Sequence, residues 1–290
     1  MTTAGRRGDG AAQRRRAALE AATAVARKLG IRCSNPAIVA DANNTIVHLA
    51  PAPVVAKVAV GALRSRPEDV LGRELDVGLY LAARDAPIAP PTRSVPPGPH
   101  RHEGQVLTLW ELREHDPGAH VDASTLSAAL RAFHEAFVGY PRRLPSFTDQ
   151  IEDAGRVLSD DALAPALARD DRELLRTAQR RLLGSLRGAA FSERPLHGDP
   201  HPDGNVLLTP QGPLLVDFEA ACMGPVEWDL TSTGTEVART YPGADPALVD
   251  ILSVARSLCV ATWCWMQPER DPAVAEAARW HLTRIRQAVG

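Results

Sequence analysis

Lysine is almost missing from this chain of 290 residues: Lys28 and Lys57 are the only two, so arginine carries nearly all of the positive charge. Net charge is scarce as well. A formal charge of −2 and a pI near 6.5 exclude the strong basic excess by which proteins hold nucleic acid or anionic membrane surfaces. The one basic cluster, Arg14-Arg15-Arg16 with Arg6 and Arg7, sits in a Gly/Ala-rich start. It is expected to be a solvated, disordered tail over residues 1–16, with a binding arm as the alternative. No apolar run approaches the ~18 residues of a membrane span, and no secretory apolar region follows the arginines; a cytoplasmic location is the expectation. Four cysteines, Cys33, Cys222, Cys259 and Cys264, fit no zinc spacing and are expected as buried free thiols. There is no repeat at solenoid periods.

What is present centres on Leu196–Leu230. Val206-Leu207-Leu208 and Leu214-Leu215-Val216 flank the turn-rich Thr209-Pro210-Gln211-Gly212-Pro213, which predicts a β-hairpin. Pairing Leu207 with Leu215 sets Asn205 opposite Asp217, with Cβ atoms roughly 5 Å apart. An amide oxygen and a carboxylate that converge suit a hard cation such as Mg²⁺, which keeps phosphate oxygens and water in its remaining positions. Asp199 lies a short loop upstream, and the preceding His197-Gly198 allows a tight turn.

His-Gly-Asp, then Asn, a hairpin and Asp-Phe-Glu resemble the catalytic loop and metal-binding segment of the aminoglycoside phosphotransferases and related small-molecule kinases, which share the protein-kinase fold. The corresponding protein-kinase signatures are H-R-D-L-x-x-x-N and D-F-G. The resemblance implies that Asp199 is the base, that Asn205 and Asp217 hold the metal, and that His197 supports the loop. It also implies a nucleoside triphosphate, ATP or GTP, as phosphoryl donor. One departure stands out: Asn205 follows Asp199 by six residues, where the kinase signature has five. Either the loop bulges by one residue at Gly204 or the metal is held differently.

Lys57 lies within Val-Val-Ala-Lys-Val-Ala-Val, where a lone charge is costly to bury. The run resembles the kinase V-A-I-K strand, whose lysine meets the α- and β-phosphates and a helix glutamate; the alternative is a lysine on the solvent face of an alternating strand. A helix opening at Pro67 offers Glu74 as partner, flanked on its own face by Val70, Leu71, Val77 and Gly78, so a Lys57–Glu74 ion pair is expected. Strands are expected at 38–42, 45–49 and 54–60. A tight turn at Asn43-Asn44 is expected either to overhang the phosphates, although no G-x-G-x-x-G is present, or to be a plain surface hairpin.

The remainder is read more coarsely. A helix over 17–29 ends at Gly30, and Pro87–Pro99 is expected to be extended and without regular hydrogen bonding. A strand over 105–112 ends in Trp110 and Glu111; by resemblance this is the connector whose backbone meets the adenine edge. Helices follow, the first carrying Leu126, Leu130, Phe133 and Phe137, with His134 beside that stripe as a packing or hydrogen-bonding residue rather than a catalytic one. Glu219, Glu227, Asp229 and Glu236 precede the next positive charge. They are expected either to form an acidic wall for a cationic substrate, with Glu219 contacting metal or substrate and Glu227 touching substrate, or to brace loops, with Asp229 supporting the catalytic loop. Trp263, Trp265 and Trp280 are expected to fill the core, with the lining of a pocket as the alternative.

The expectation is an α+β, two-lobed, protein-kinase-like fold. A small β-rich nucleotide-binding lobe spans 17–111, and a larger, mainly α catalytic and substrate lobe spans 112–290. The implied activity is transfer of the γ-phosphoryl group to a hydroxyl of a small cationic molecule such as an aminoglycoside, with antibiotic resistance as the associated role. The alternatives are a sugar, amino-alcohol or nucleoside acceptor, or a degenerate nucleotide-binding module without catalysis.

Overall fold

The computed structural model describes residues 3–42, 44–59, 66–268 and 272–289. The chain divides into two compact units. The first comprises Met1–Val121, Glu135–Tyr140 and Gly204–Glu219, and the second comprises Asp122–His134, Pro141–Asp203 and Ala220–Gly290.

In the first unit, α1 (Thr3–Lys28) precedes three strands, β1 (Ala37–Asp41), β2 (Asn44–His48) and β3 (Val54–Ala59), then α2 (Pro67–Ala82), β4 (His100–His102) and β5 (Gln105–Glu111). The strands form one sheet in the order β1-β2-β3-β5-β4, all antiparallel. Ala18, Ala21, Ala22, Val25 and Ala26 recur at helical spacing and pack α1 on Val47, Leu49, Val54, Ala56, Val58, Leu107 and Leu109. These small side chains let the helix lie close to the sheet. The helix expected from Ala17 begins at Thr3 instead and takes in the arginine-rich start, in place of the disordered tail expected there; Ala11, Ala12, Gln13 and Arg14 to Arg16 favour it, against the helix-weakening Gly5, Gly8 and Gly10. Asn43 and Val60 lie outside the described residues.

Alternation along β3 decides where Lys57 goes. Val54, Ala56 and Val58 face the α1 core, so Lys57 points to the opposite side. That side is covered: Ala59, on the same face as Lys57, clusters with Leu71 of α2, and Lys57 is buried. The solvent-face alternative is excluded. The proline-rich stretch also departs from expectation, because it is tied to its neighbours. Pro87 O accepts from Leu215 N, Pro90 O from Glu111 N and Pro97 O from Leu109 N. Proline cannot donate, but its carbonyl accepts as well as any other.

In the second unit, α3 (Ala123–Phe137, in this unit as far as His134), α4 (Phe147–Leu158) and α5 (Arg169–Arg187) lead to β6 (Arg194–Leu196) and one helical turn, α6 (Pro202–Asn205, in this unit as far as Asp203). The hairpin β7 (Val206–Thr209) and β8 (Gly212–Leu215) belongs to the first unit. A 3₁₀ turn (Phe218–Ala220) follows, then β9 (Cys222–Gly224), α7 (Val226–Leu230), α8 (Thr235–Thr240), α9 (Pro246–Met266) and α10 (Pro272–Val289). Helices α4, α5, α9 and α10 enclose the core of this unit, which includes Phe147, Ile151, Leu175, Trp228, Leu258 and Ile285. Ser146 caps α4 by accepting from Thr148 N, and Asp245 caps α9 by accepting from Ala247 N.

Two expectations fail in α9 and α10. The 21-residue α9 contains an 18-residue window of mean hydropathy 1.5 and is long and apolar enough to cross a membrane; Asp250 and Arg256 interrupt the run and hid it. Its Leu252, Ala255, Leu258, Cys259 and Ala261 pack in the helical core, as a core helix of a globular unit does. Trp263 and Trp280 are 39% and 57% exposed, and only Trp265 packs against the core. Trp280 is turned outward, with Arg284 5.7 Å above its ring.

Candidate active site

The first unit gathers one ammonium and three carboxylates. Lys57 Nζ donates to Glu74 Oε1 at 2.6 Å and to Asp217 Oδ1 at 2.9 Å, and lies 3.0 Å from Glu219 Oε1. The ion pair expected between Lys57 and Glu74 is therefore present. Glu74 reaches it from the middle of the buried face of α2, beside Leu71, Leu75 and Gly78. Its Oε1 also accepts from Phe218 N at 3.1 Å, which ties α2 to the Asp217-Phe218-Glu219 segment. Asn44, at the start of β2, donates through Nδ2 to Glu219 Oε1 at 2.7 Å, and Arg73 donates to the Glu219 carbonyl at 3.3 Å.

The electrostatics of this cluster are unbalanced. Burial opposes the charge on Lys57, but Glu74, Asp217 and Glu219 together outweigh it and hold the ammonium above the usual lysine range. Glu74 does not show the downward shift of a simple ion pair. Burial, with repulsion from Asp217 and Glu219, exceeds the pull of Lys57 and pushes it up to about 8. Even with Glu74 holding a proton, Asp217 and Glu219 exceed the single ammonium in charge, and the oxygens of the three acids lie within 4.8 Å of one another. Glu74 Oε2 and Asn44 Oδ1 are buried with no hydrogen-bond partner among the described residues. A crowded oxygen donor set with excess negative charge fits a divalent hard cation.

The hairpin that delivers Asp217 has a different register from the one expected. Val206 pairs with Leu215, Leu207 with Leu214 and Thr209 with Gly212, so only Pro210 and Gln211 form the loop. Asn205 thus stands opposite Val216, whose N–H it accepts at 3.0 Å, and Asp217 falls one residue beyond. The five-residue spacer assumed from sequence was too long, and loop length fixes register. Asp217 has φ +67, a left-handed conformation that re-aims its side chain at the end of the strand. The extra residue before Asn205 is taken up in the helical turn Pro202–Asn205, not in a strand bulge.

In β5, Trp110 pairs with Val55, donates its indole N–H to Thr108 Oγ1 at 2.9 Å and packs on Phe218 at 6.1 Å. Gly78 leaves room for its ring, since a Cβ there would lie 2.8 Å from it. Glu111 N is donated to Pro90, and its side chain pairs with Arg113.

The second unit holds the His197-Gly198-Asp199 loop on a buried carboxylate. Asp229 Oδ2 accepts from His197 N at 2.9 Å, Asp229 Oδ1 accepts from Gly198 N at 2.7 Å, and His134 Nε2 donates to Oδ2 at 2.8 Å. Burial alone would raise Asp229; the His134 hydrogen bond and charge, with His197 and the Gly198 N–H, hold it below the usual carboxylate range. His134 Nδ1 lies 2.9 Å from the Tyr241 hydroxyl. His134 is thus a hydrogen-bonding residue, as expected, although a partner that the sequence did not reveal shares its face. Asp199 is joined by Ser232 Oγ, which donates to its Oδ1 at 2.8 Å, and by Arg256 Nη1 at 4.0 Å. Sequence reading missed both of these, along with Asn44 and Arg73.

The carboxylates of the acidic run each have a partner within their own unit. Glu219 belongs to the Lys57 cluster, Glu227 is buried and accepts from Asp245 N at 2.9 Å, and Glu236 pairs with Arg239. Of the two alternatives, loop bracing accounts for Glu227 and Asp229.

A β-sheet unit carrying a buried lysine–glutamate pair, with an Asp-Phe-Glu segment after a hairpin and a His-Gly-Asp loop on a mainly helical unit, defines a protein-kinase-like phosphotransferase. Residues 37–268 match the model of the phosphotransferase enzyme family, and the chain belongs to that family. It is a phosphotransferase with an alcohol group as acceptor and has the two-lobed α+β fold of that class. Solved structures with the same fold include the choline kinase LicA from Streptococcus pneumoniae (TM-score 0.68, 14% identity, 91% of this chain and 98% of that one). An amicoumacin kinase in complex with AMP-PNP, Ca²⁺ and amicoumacin is also similar (TM-score 0.67, 12% identity, 88% of each chain). So is the GDP complex of aminoglycoside 2'-phosphotransferase-IIIa (TM-score 0.65, 14% identity, 91% and 97%). No curated protein matches the sequence significantly.

Proposed function

We propose that the protein transfers the γ-phosphoryl group of ATP or GTP, with Mg²⁺, to the hydroxyl of a small amine-bearing molecule such as an aminoglycoside or an amino alcohol. The observation that carries this reading is the excess of carboxylate around Lys57, a site short of positive charge and rich in oxygen donors. The choice of a cationic acceptor rests on the substrates named for choline kinase, amicoumacin kinase and aminoglycoside phosphotransferase, because the acidic run supplies no support for it.

The roles follow from chemistry. Lys57 contacts the donor phosphates, and Glu74 aims it. Asp217, with Glu219 beside it in the Lys57 cluster, and Asn205 would hold Mg²⁺, which when bound supplies positive charge to the phosphate oxygens. The backbone from Glu111 onward, whose Glu111 and Leu112 amides are taken by the Pro90 and Pro53 carbonyls, would offer its remaining groups to the adenine or guanine edge, with Trp110 packing beneath it. Asp199 accepts the proton of the acceptor hydroxyl as its oxygen bonds to the γ-phosphorus, while the bond from that phosphorus to the β,γ-bridging oxygen breaks and a nucleoside diphosphate leaves. His197 and Asp229 support the loop. Glu227 acts through the chain turn before α9, not on substrate. A cytoplasmic location would supply the nucleotide, and resistance to an antibiotic is one biological role of such a reaction.

Asp199→Ala is expected to abolish Mg²⁺-dependent release of ADP or GDP with choline, ethanolamine or kanamycin as acceptor, while melting temperature and nucleotide binding stay close to wild type. Unchanged turnover in that variant would remove Asp199 from the chemistry.

A further inference from the structure

We infer that Arg256 and Ser232 clamp the Asp199 carboxylate, and that both are positioning residues for phosphoryl transfer; this rests on the proposed role of Asp199 toward the acceptor hydroxyl. Arg256 comes from α9 and is only 6% exposed. A buried guanidinium is costly unless its donors are used, and here they join four pieces of the unit. Nε donates to Thr231 Oγ1 at 3.1 Å, Nη1 to Gln150 Oε1 of α4 at 3.3 Å, and Nη2 to the Gly198 carbonyl at 2.8 Å and the Trp228 carbonyl at 3.2 Å. The guanidinium carbon lies 3.8 Å over the Trp228 ring, which fixes the plane of the fork.

Two features turn this packing into a statement about Asp199. The peptide oxygen that Nη2 takes belongs to Gly198, the residue bonded directly to Asp199, so the guanidinium sets the plane of the peptide from which Asp199 projects. The same guanidinium reaches toward the carboxylate itself, with Nη1 4.0 Å from Oδ1. Ser232, the residue after the Thr231 that receives Nε, donates to that same Oδ1 at 2.8 Å. One carboxylate oxygen is thus held by a hydroxyl and faced by a cation, while Asp229 holds the His197 and Gly198 amides from the other side. Fixing one oxygen of a carboxylate restricts rotation about its terminal torsion and so directs the other. An unanchored carboxylate would spend most of its time misdirected.

The test uses the full chain with Mg·ATP and Mg·GTP, following diphosphate release with choline, ethanolamine and kanamycin, and with water alone as acceptor. Ser232→Ala is expected to lower kcat about tenfold while leaving the nucleotide KM unchanged, and Ser232→Thr, which keeps the hydroxyl, to restore most of the rate. Arg256→Lys, which keeps the charge but not the fork, should lower kcat at least as far as Ser232→Ala. If Arg256→Lys does not fold, the serine pair decides alone. Wild-type kcat in Ser232→Ala, alongside an inactive Asp199→Ala, would overturn the clamp and leave the base intact. Equal losses in the alanine and threonine variants would also overturn it, since they would reflect packing. Turnover retained in Asp199→Ala, or absent in the wild type with every acceptor, would overturn the underlying reading and the clamp with it.

Discussion

Gly198 has φ +90, and a methyl group there would collide with the Ala220 carbonyl, so two separate constraints require glycine at one position. Gly198→Ala is expected to destabilise the protein by more than about 2 kcal/mol and to remove turnover, measured by thermal melting and diphosphate release. His281 gives a prediction of another kind. Burial first, and Arg284 second, push its imidazole down to about 4, and its Nδ1 is buried without a partner among the described residues. Between the ordinary histidine value and 4 the unfolded chain binds a proton that the folded chain refuses. Stability therefore rises with pH across that window and falls as the solution is acidified through it. With allowance for partial exposure the effect is about 1 kcal/mol, and His281→Gln should flatten the melting temperature between pH 4 and 6.5. At this scale Lys57 was the most legible residue, because a lone lysine in an apolar strand demands a partner. Ser232, Arg256 and Asn44 were not legible, since each acts through a residue far away in sequence.

Bracing belongs to the elements. Strand β6 and helix α7 meet through Asp229, which takes two loop amides and the His134 ring. Asp229→Ala would leave those donors unpaired in a dry interior. It is expected to cost about 3–5 kcal/mol, read from denaturant unfolding; a loss below about 1 kcal/mol would show that water replaces the carboxylate. Most elements announced themselves by period: the α1 stripe of alanines and the alternation of β3 follow directly from spacing. The β7–β8 register did not, because the sequence leaves open how many of Thr209–Pro213 form the loop, and a slip by one residue moved Asp217 off Asn205. The proline-rich stretch and α9 misled for a shared reason. Composition describes what a segment lacks, whereas the Pro87, Pro90 and Pro97 carbonyls and the buried Arg256 matter for what they accept or donate.

For the whole molecule, the chain does not divide at a single point. The hairpin over 204–219 belongs with the β-sheet unit although α3, α4 and α5 precede it. The residues proposed to handle the donor nucleotide therefore come from three separated stretches of sequence, around Lys57, Glu74 and Asp217. That return was partly legible, because a lysine strand, a glutamate helix and an Asp-Phe-Glu segment imply one another once the family resemblance is seen. The acceptor was not legible, because the acidic residues that suggested a cationic substrate are spent on loops and on Lys57.

The central proposal is that the charge-deficient cluster around Lys57 binds nucleotide phosphates together with a divalent ion. Calorimetric titration of the purified protein with the non-hydrolysable analogues of ATP and GTP, with Mg²⁺ and with chelator, tests it most directly. The expected result is binding of at least one analogue that requires Mg²⁺ and weakens at least about tenfold in Lys57→Met. Binding that is equally strong without Mg²⁺ and in Lys57→Met, or no binding of either analogue by the wild type, would contradict it.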